Sequence, residues 1–145
     1  MSDRGEGRGR VTGIGGVFFR SPDPAATRRW YAEHLGLGVD EYGSSFTWRS
    51  DTDPSERGHT LWSPFDADTD YFGDDEQQAM INYRVDDLDA VLSRLRSGGV
   101  TLVGDTQVES YGRFQHVIDG DGRRIELWEP ITSEYENIAD GVTSS

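Results

Sequence analysis

Glu126 stands in the run Arg123-Arg-Ile-Glu-Leu-Trp-Glu-Pro130, with Arg124 and Trp128 two positions to either side. Side chains on a strand alternate between faces, so these three project together. A carboxylate placed between a guanidinium and an indole has three uses. It can pair with Arg20, Arg84 or Arg124 and hold structure. It can contact a ligand or act as a general base, given burial that raises its pKa or a closely held substrate. It can also ligate a divalent ion, and none of these is excluded by the residues alone.

The same alternation collects further candidates. Gly16, Phe18 and Arg20 fall on one strand face, and Met80, Asn82 and Arg84 on the equivalent face of a second strand. Thr60 and Trp62 are expected to join them. Apolar walls with a few placed polar groups are what small-molecule sites use. Phe18, Arg20, Trp62, Asn82, Arg84, Arg124 and Trp128 are therefore the candidate ligand-binding set, and Trp62 and Trp128 could stack a planar or cationic ligand or serve simply as large core residues.

His59 and His116 each lie beside this set, and an imidazole there can act as a switchable acid-base or a ligand. Their positions equally suit surface or hydrogen-bonded structural roles. His34 needs only the C-terminal dipole of its helix. The acidic stretch Asp66 to Gln78 imitates the start of a calcium loop, but no glycine follows the third aspartate and Gln77 replaces the bidentate glutamate. It reads as a solvated acidic loop.

These residues must be positioned by a repeat. GVFFRSPDPAATRRWYAEHL (Gly16 to Leu35) aligns with MINYRVDDLDAVLSRLRSGG (Met80 to Gly99) at an offset of 99 − 35 = 64. TLWSP (Thr60 to Pro64) returns as ELWEP (Glu126 to Pro130) at an offset of 126 − 60 = 66. Such copies usually bury their apolar faces against each other. Each reads as β-α-β-β-β, an α+β design. The first has strands at Val11 to Arg20, Gly38 to Tyr42, Ser45 to Arg49 and His59 to Ser63. The second has them at Met80 to Val85, Val100 to Val103, Phe114 to Ile118 and Arg123 to Trp128.

Local signals fix the helices. Asp23 can cap the first, Pro24 suits its opening turn and Gly36 its end, with Ala26, Trp30, Tyr31 and His34 or Leu35 facing a sheet. Asp86 or Asp87 caps the second, Leu88, Val91, Leu92 and Leu95 form its stripe, and Gly98-Gly99 stop it. Asp119-Gly-Asp-Gly is a hairpin turn. Residues 1–10 read as a disordered tail, 11–130 as one domain with modules at about 11–65 and 78–130, and 131–145 as an acidic C-terminal tail.

With 145 residues the chain has one domain's worth of core. It contains no cysteine, so disulfides, thiolate nucleophiles and cysteine-held metals are excluded. Fourteen basic residues, all arginine, stand against 27 acidic ones, a formal charge of −13. That field repels nucleic acid and favours cationic ligands or solubility in high salt. A salt-loving source and GC-rich codon usage explain the bias equally well. No apolar run reaches a membrane span and no signal segment opens the chain, so a cytoplasmic location without membrane partners is expected.

The matches GVFFRSPDPAATRRWYAEHLGL, INYRVDDLDAVLSRL and GRFQHVIDGDGRRIELWEP, set in paired βαβββ units, resemble the vicinal oxygen chelate superfamily. That group includes glyoxalase I, extradiol dioxygenases, fosfomycin-resistance transferases and bleomycin-binding proteins. The resemblance implies a cup of two curved sheets and frequent homodimers. It also implies a divalent metal held from four positions, here Gly16, Thr60, Met80 and Glu126. Only Glu126 is a competent ligand, so no metal and no other cofactor is expected. The favoured expectation is a small-molecule binding protein of the drug-sequestering kind. The alternative is a lyase, isomerase or dioxygenase using Glu126 as a base, or with His116 or His59 as a relocated ligand. A third is an accessory domain whose surface serves dimerisation.

Overall fold

The computed structural model describes residues 9–131. The expected tails therefore lie mostly outside the described residues, at 1–8 and 132–145. Gly9 and Arg10 are within them and are not tail-like: both backbone amides donate to Asp86 Oδ1, at 2.7 and 2.9 Å.

Among the described residues, seven strands form one sheet in the order β2-β3-β1-β4-β7-β6-β5, with two helices. The first module supplies β1 (Val11–Ser21), α1 (Pro24–Leu35), β2 (Ser44–Arg49) and β3 (Arg57–Asp66). The second supplies β4 (Ala79–Val85), α2 (Leu88–Ser97), β5 (Leu102–Glu109), β6 (Gly112–Ile118) and β7 (Arg124–Pro130). β1 and β4 pair antiparallel at the centre, through Gly16 with Asn82 and Phe18 with Met80. Each then takes the last strand of its own module as a parallel neighbour, β3 beside β1 and β7 beside β4. The repeat is thus a two-fold relation about the central pair. Gly38 to Tyr42 departs from it: only the bridge between Asp40 and Gly43 forms, because Asp40 Oδ1 accepts from the Tyr42 and Gly43 amides and turns the chain.

Both helices start and stop where their caps require. Asp23 accepts from the Ala26 amide and Asp87 from the Ala90 amide, at 3.1 Å each, while Gly36 takes the left-handed conformation at φ 68°. Asp87 is the second cap, which frees Asp86 to hold residues 9 and 10.

The helices bury very different amounts of surface. Leu88, Val91 and Leu92 of α2 join Val85, Val117 and Leu127 in a closed core. No residue of α1 is fully buried. Its sequence offers the sheet mainly Tyr31, whose ring lies 4.7 Å from that of Trp62, while Trp30 stays 52% exposed and stacks on His34. A second cluster, Phe18, Met80 and Phe72, closes the far side of the central strands.

Candidate functional site

Counting outward from the Asp119 to Gly122 turn explains what meets what. The turn is fixed by Asp119 Oδ1, which accepts from the Asp121 and Arg123 amides at 2.9 Å each. β6 and β7 are thereby registered with Ile118 opposite Arg124, His116 opposite Glu126 and Phe114 opposite Trp128. Directly opposed residues on antiparallel strands share a face and touch. His116 Nε2 lies 2.9 Å from Glu126 Oε2, and the Phe114 and Trp128 rings lie 5.7 Å apart and within 5° of parallel.

Glu126 is 2% exposed, and a buried carboxylate needs donors. It has three. Asn82 Nδ2, from the neighbouring strand β4, donates to Oε1 at 2.7 Å. The Tyr71 hydroxyl and His116 both meet Oε2. Arg124 Nε donates to His116 Nδ1 at 2.7 Å, so that nitrogen must be the acceptor. His116 is then the neutral tautomer with its proton on Nε2, pointed at Glu126. Burial first, and then the Glu126 charge, push the Tyr71 hydroxyl well above the usual tyrosine range.

Above this network lies a cavity of about 650 Å³. Phe18, Phe65, Tyr71, Tyr111, Phe114 and Trp128 wall it, Asn82, His116, Arg124 and Glu126 contribute polar groups, and Asp105 and Glu109 stand exposed at its rim. The rim residues are carried by an irregular β5. Between Val103 and Gln107 its pairing with β6 shifts, Gly104 turns at φ 72°, and buried Gln115 donates to the Val103 and Gly104 carbonyls at 3.1 Å. Across this irregular stretch Val103, Gly104, Asp105 and Gln107 all reach the cavity lining.

Tyr71 arrives from the Asp66 to Gln78 connection, which does more than carry solvated charge. Arg20 gathers its backbone: Nε and the terminal nitrogens donate to the carbonyls of Gln77 (2.9 Å), Ala67 (2.7 Å), Thr69 (2.8 Å) and Asp74 (3.1 Å). Phe72 of the same connection is fully buried, with the Arg20 guanidinium over its ring. The segment is a strap anchored by one arginine and one phenylalanine.

Of the expected ligand-binding set, Phe18, Asn82, Arg124 and Trp128 line the cavity together with Glu126. Three others do not. Arg20 is spent on the strap. Arg84 lies between the Trp48 and Trp128 rings, at 5.3 and 5.8 Å from their centres. Trp62 packs on Phe19 and Tyr31, the helix side of the sheet. The register explains the last correction. Phe18 corresponds to Asn82 in the repeat, and it pairs with Ser63 where Asn82 pairs with Glu126. The structural counterpart of Glu126 is thus Ser63, not Thr60. A three-residue difference is odd, which reverses every side chain. Leu61, Ser63 and Phe65 face the cup instead of Thr60 and Trp62. His59 is buried beside Thr47 on β2, 3.3 Å from its hydroxyl, and lies outside the cavity lining.

Residues 13–127 match the Glyoxalase/Bleomycin resistance protein/Dioxygenase superfamily, and the chain belongs to it. No curated protein matches the sequence. Among solved structures, methylmalonyl-CoA epimerase from Mycobacterium tuberculosis is 23% identical with a TM-score of 0.55, covering 87% of this chain and 93% of that one. A variant of the Streptomyces coelicolor methylmalonyl-CoA epimerase in complex with 2-nitronate-propionyl-CoA is 16% identical with a TM-score of 0.64, covering 84% and 99%. A structure described as an NAD-dependent benzaldehyde dehydrogenase from Legionella pneumophila is 11% identical at a TM-score of 0.51, covering 79% and 97%. At these identities the likeness is one of fold.

The four positions implied for a metal do not fit one. Gly16 has no side chain and its open side is filled by the Phe18 ring. Met80 is 1% exposed among Phe18 and Phe72. The Thr60 hydroxyl donates to the Ile14 carbonyl and accepts from Trp48 Nε1, and Ser63, which takes that place in the structure, donates its hydroxyl to the Tyr42 carbonyl at 2.7 Å. Both Glu126 oxygens are occupied by protein donors. Among the described residues, no three of His, Asp or Glu converge as a metal site would need. Also among them, no helix is long and apolar enough to cross a membrane.

Proposed function

We propose that the chain binds a small organic molecule in the cup, held against Phe114 and Trp128, and that Glu126 shapes the floor rather than a metal centre. The observation behind this is the contrast between a closed floor and an open cavity. Three donors from three elements satisfy Glu126, while about 650 Å³ above it is walled by aromatic rings. A cavity of that size suits a drug-sized ligand. The expected results are elemental analysis with no stoichiometric metal, and aryl probes that bind the wild type but not Trp128→Ala. One zinc, nickel or iron per purified chain would overturn the proposal.

A second function draws on the line from His116 through Glu126 to Tyr71, which resembles a proton path. Under it the chain is an enzyme of this superfamily using Glu126 as a base. Oε1 accepts from Asn82 alone, so a substrate proton would be taken at its remaining lone pair or after one donor is displaced. Glu126→Gln separates the two: an enzyme loses turnover, whereas a binding cup keeps its aryl ligand with a folded protein destabilised by ~1–3 kcal/mol through donors left unpaired.

A further inference from the structure

We infer that the ligand of the cup is a planar organic cation, an aryl or heteroaromatic molecule bearing a protonated or quaternary nitrogen. This rests on the cup being a binding site and adds its chemical class. Among the described residues, charge in the lining is lopsided: Asp105, Glu109 and Glu126 stand against Arg124. Arg124 is partly committed, since its Nε donates to His116 and its guanidinium lies beside Gly73 of the strap, so one guanidinium answers three carboxylates. Arg20 and Arg84 lie outside the lining. The Tyr111 hydroxyl, on the wall, is raised above its usual range by burial first and then by the Glu109 and Glu126 charges.

The geometry suits a cation as well as the charge does. Phe114, Tyr111 and Tyr71 offer ring faces and edges around one space beside Trp128, whose own ring is stacked on Phe114 with the Arg84 guanidinium 5.8 Å from its centre, and aromatic faces attract ammonium groups most strongly when water is excluded. Asn82 adds a fixed dipole. Its Nδ2 must face the Glu126 carboxylate, which cannot donate, so the amide orientation is fixed and Oδ1 points away. Asn82 is 2% exposed and lines the cavity, and Oδ1 has no hydrogen-bond partner. Oδ1 rests where a Cβ on Gly15 would project, and Gly15 also lines the cavity. Held against Gly15 and shut off from solvent, this oxygen meets no ligand directly, and its partial negative charge at the floor suits a cation better than a carboxylate or a phosphate. The same charge balance disfavours polyphosphate-bearing ligands such as acyl-CoA esters, whatever the fold resemblance.

The test uses three probes of one shape in calorimetric titrations of the whole chain at low ionic strength: phenyltrimethylammonium, its uncharged isostere tert-butylbenzene, and the anion 4-tert-butylbenzoate. The cation is expected to bind at least tenfold more tightly than the isostere, and the anion most weakly. In Asp105→Asn/Glu109→Gln, both exposed positions with no packing to lose, the cation advantage should fall severalfold while tert-butylbenzene binding holds. Equal or tighter binding of the neutral or anionic probe overturns the ligand class and leaves the cup as a binding site. Silence from all three overturns the binding role, and the class with it.

Discussion

Glu126 owes its orientation to donors from three elements: Asn82 on β4, His116 on β6 and Tyr71 in the strap. Removing one would leave a buried charge short of a partner, which costs more than a hydrogen bond gains. Tyr71 carries the clearest signature. Its folded pKa is raised, chiefly by burial, so the neutral phenol is favoured in the native state. The stability it contributes is present in full below the unfolded tyrosine value of about 10 and is lost as pH rises above it. An absorbance titration at 295 nm should show Tyr71 and Tyr111 ionising later than the exposed tyrosines, together with alkaline unfolding, and Tyr71→Phe should remove one of the two late steps. A Tyr71 that titrates with the exposed tyrosines would contradict the hydrogen bond to Glu126.

At the scale of elements, the strap shows how far a sequence can be read. Arg20 and Phe72 bind the Asp66 to Gln78 connection to the sheet, so Arg20→Met should cost ~2 kcal/mol through lost charged hydrogen bonds to carbonyls and expose amides 66–78 to faster hydrogen exchange. Unchanged exchange there would show the arginine to be incidental. The acidic composition of this stretch concealed its role; the adjacent aromatics Tyr71 and Phe72 in so polar a run were the signal. Caps and turns were legible because they are local: Asp23, Gly36, Asp87 and the Asp119 to Gly122 turn each act within a few residues. The turn even encodes the site, since counting from it pairs His116 with Glu126 and Phe114 with Trp128. Trp62 was not legible, because its face depends on a parallel register between strands about 45 residues apart, set by no turn and obscured by the TLWSP and ELWEP likeness. The β5 bulge that brings Asp105 and Glu109 to the rim likewise has only Gly104 to announce it.

For the whole molecule, the repeat builds a symmetric frame and then uses it asymmetrically. The second module supplies α2 and a closed core, along with β5, β6 and β7 around the cup, while the first contributes a shallowly packed α1, a turn at Asp40 to Gly43 where the second has β5, and the strap. Superfamily membership fixes the frame, and the residues placed on it set the chemistry. Here those residues enclose an aromatic, acidic cup over a carboxylate already satisfied by protein donors. Titrating phenyltrimethylammonium into chelator-treated protein, by calorimetry, tests that account most directly. It predicts one site per chain with the same affinity before and after chelation. Binding that vanishes with the chelator and returns on adding zinc would contradict it.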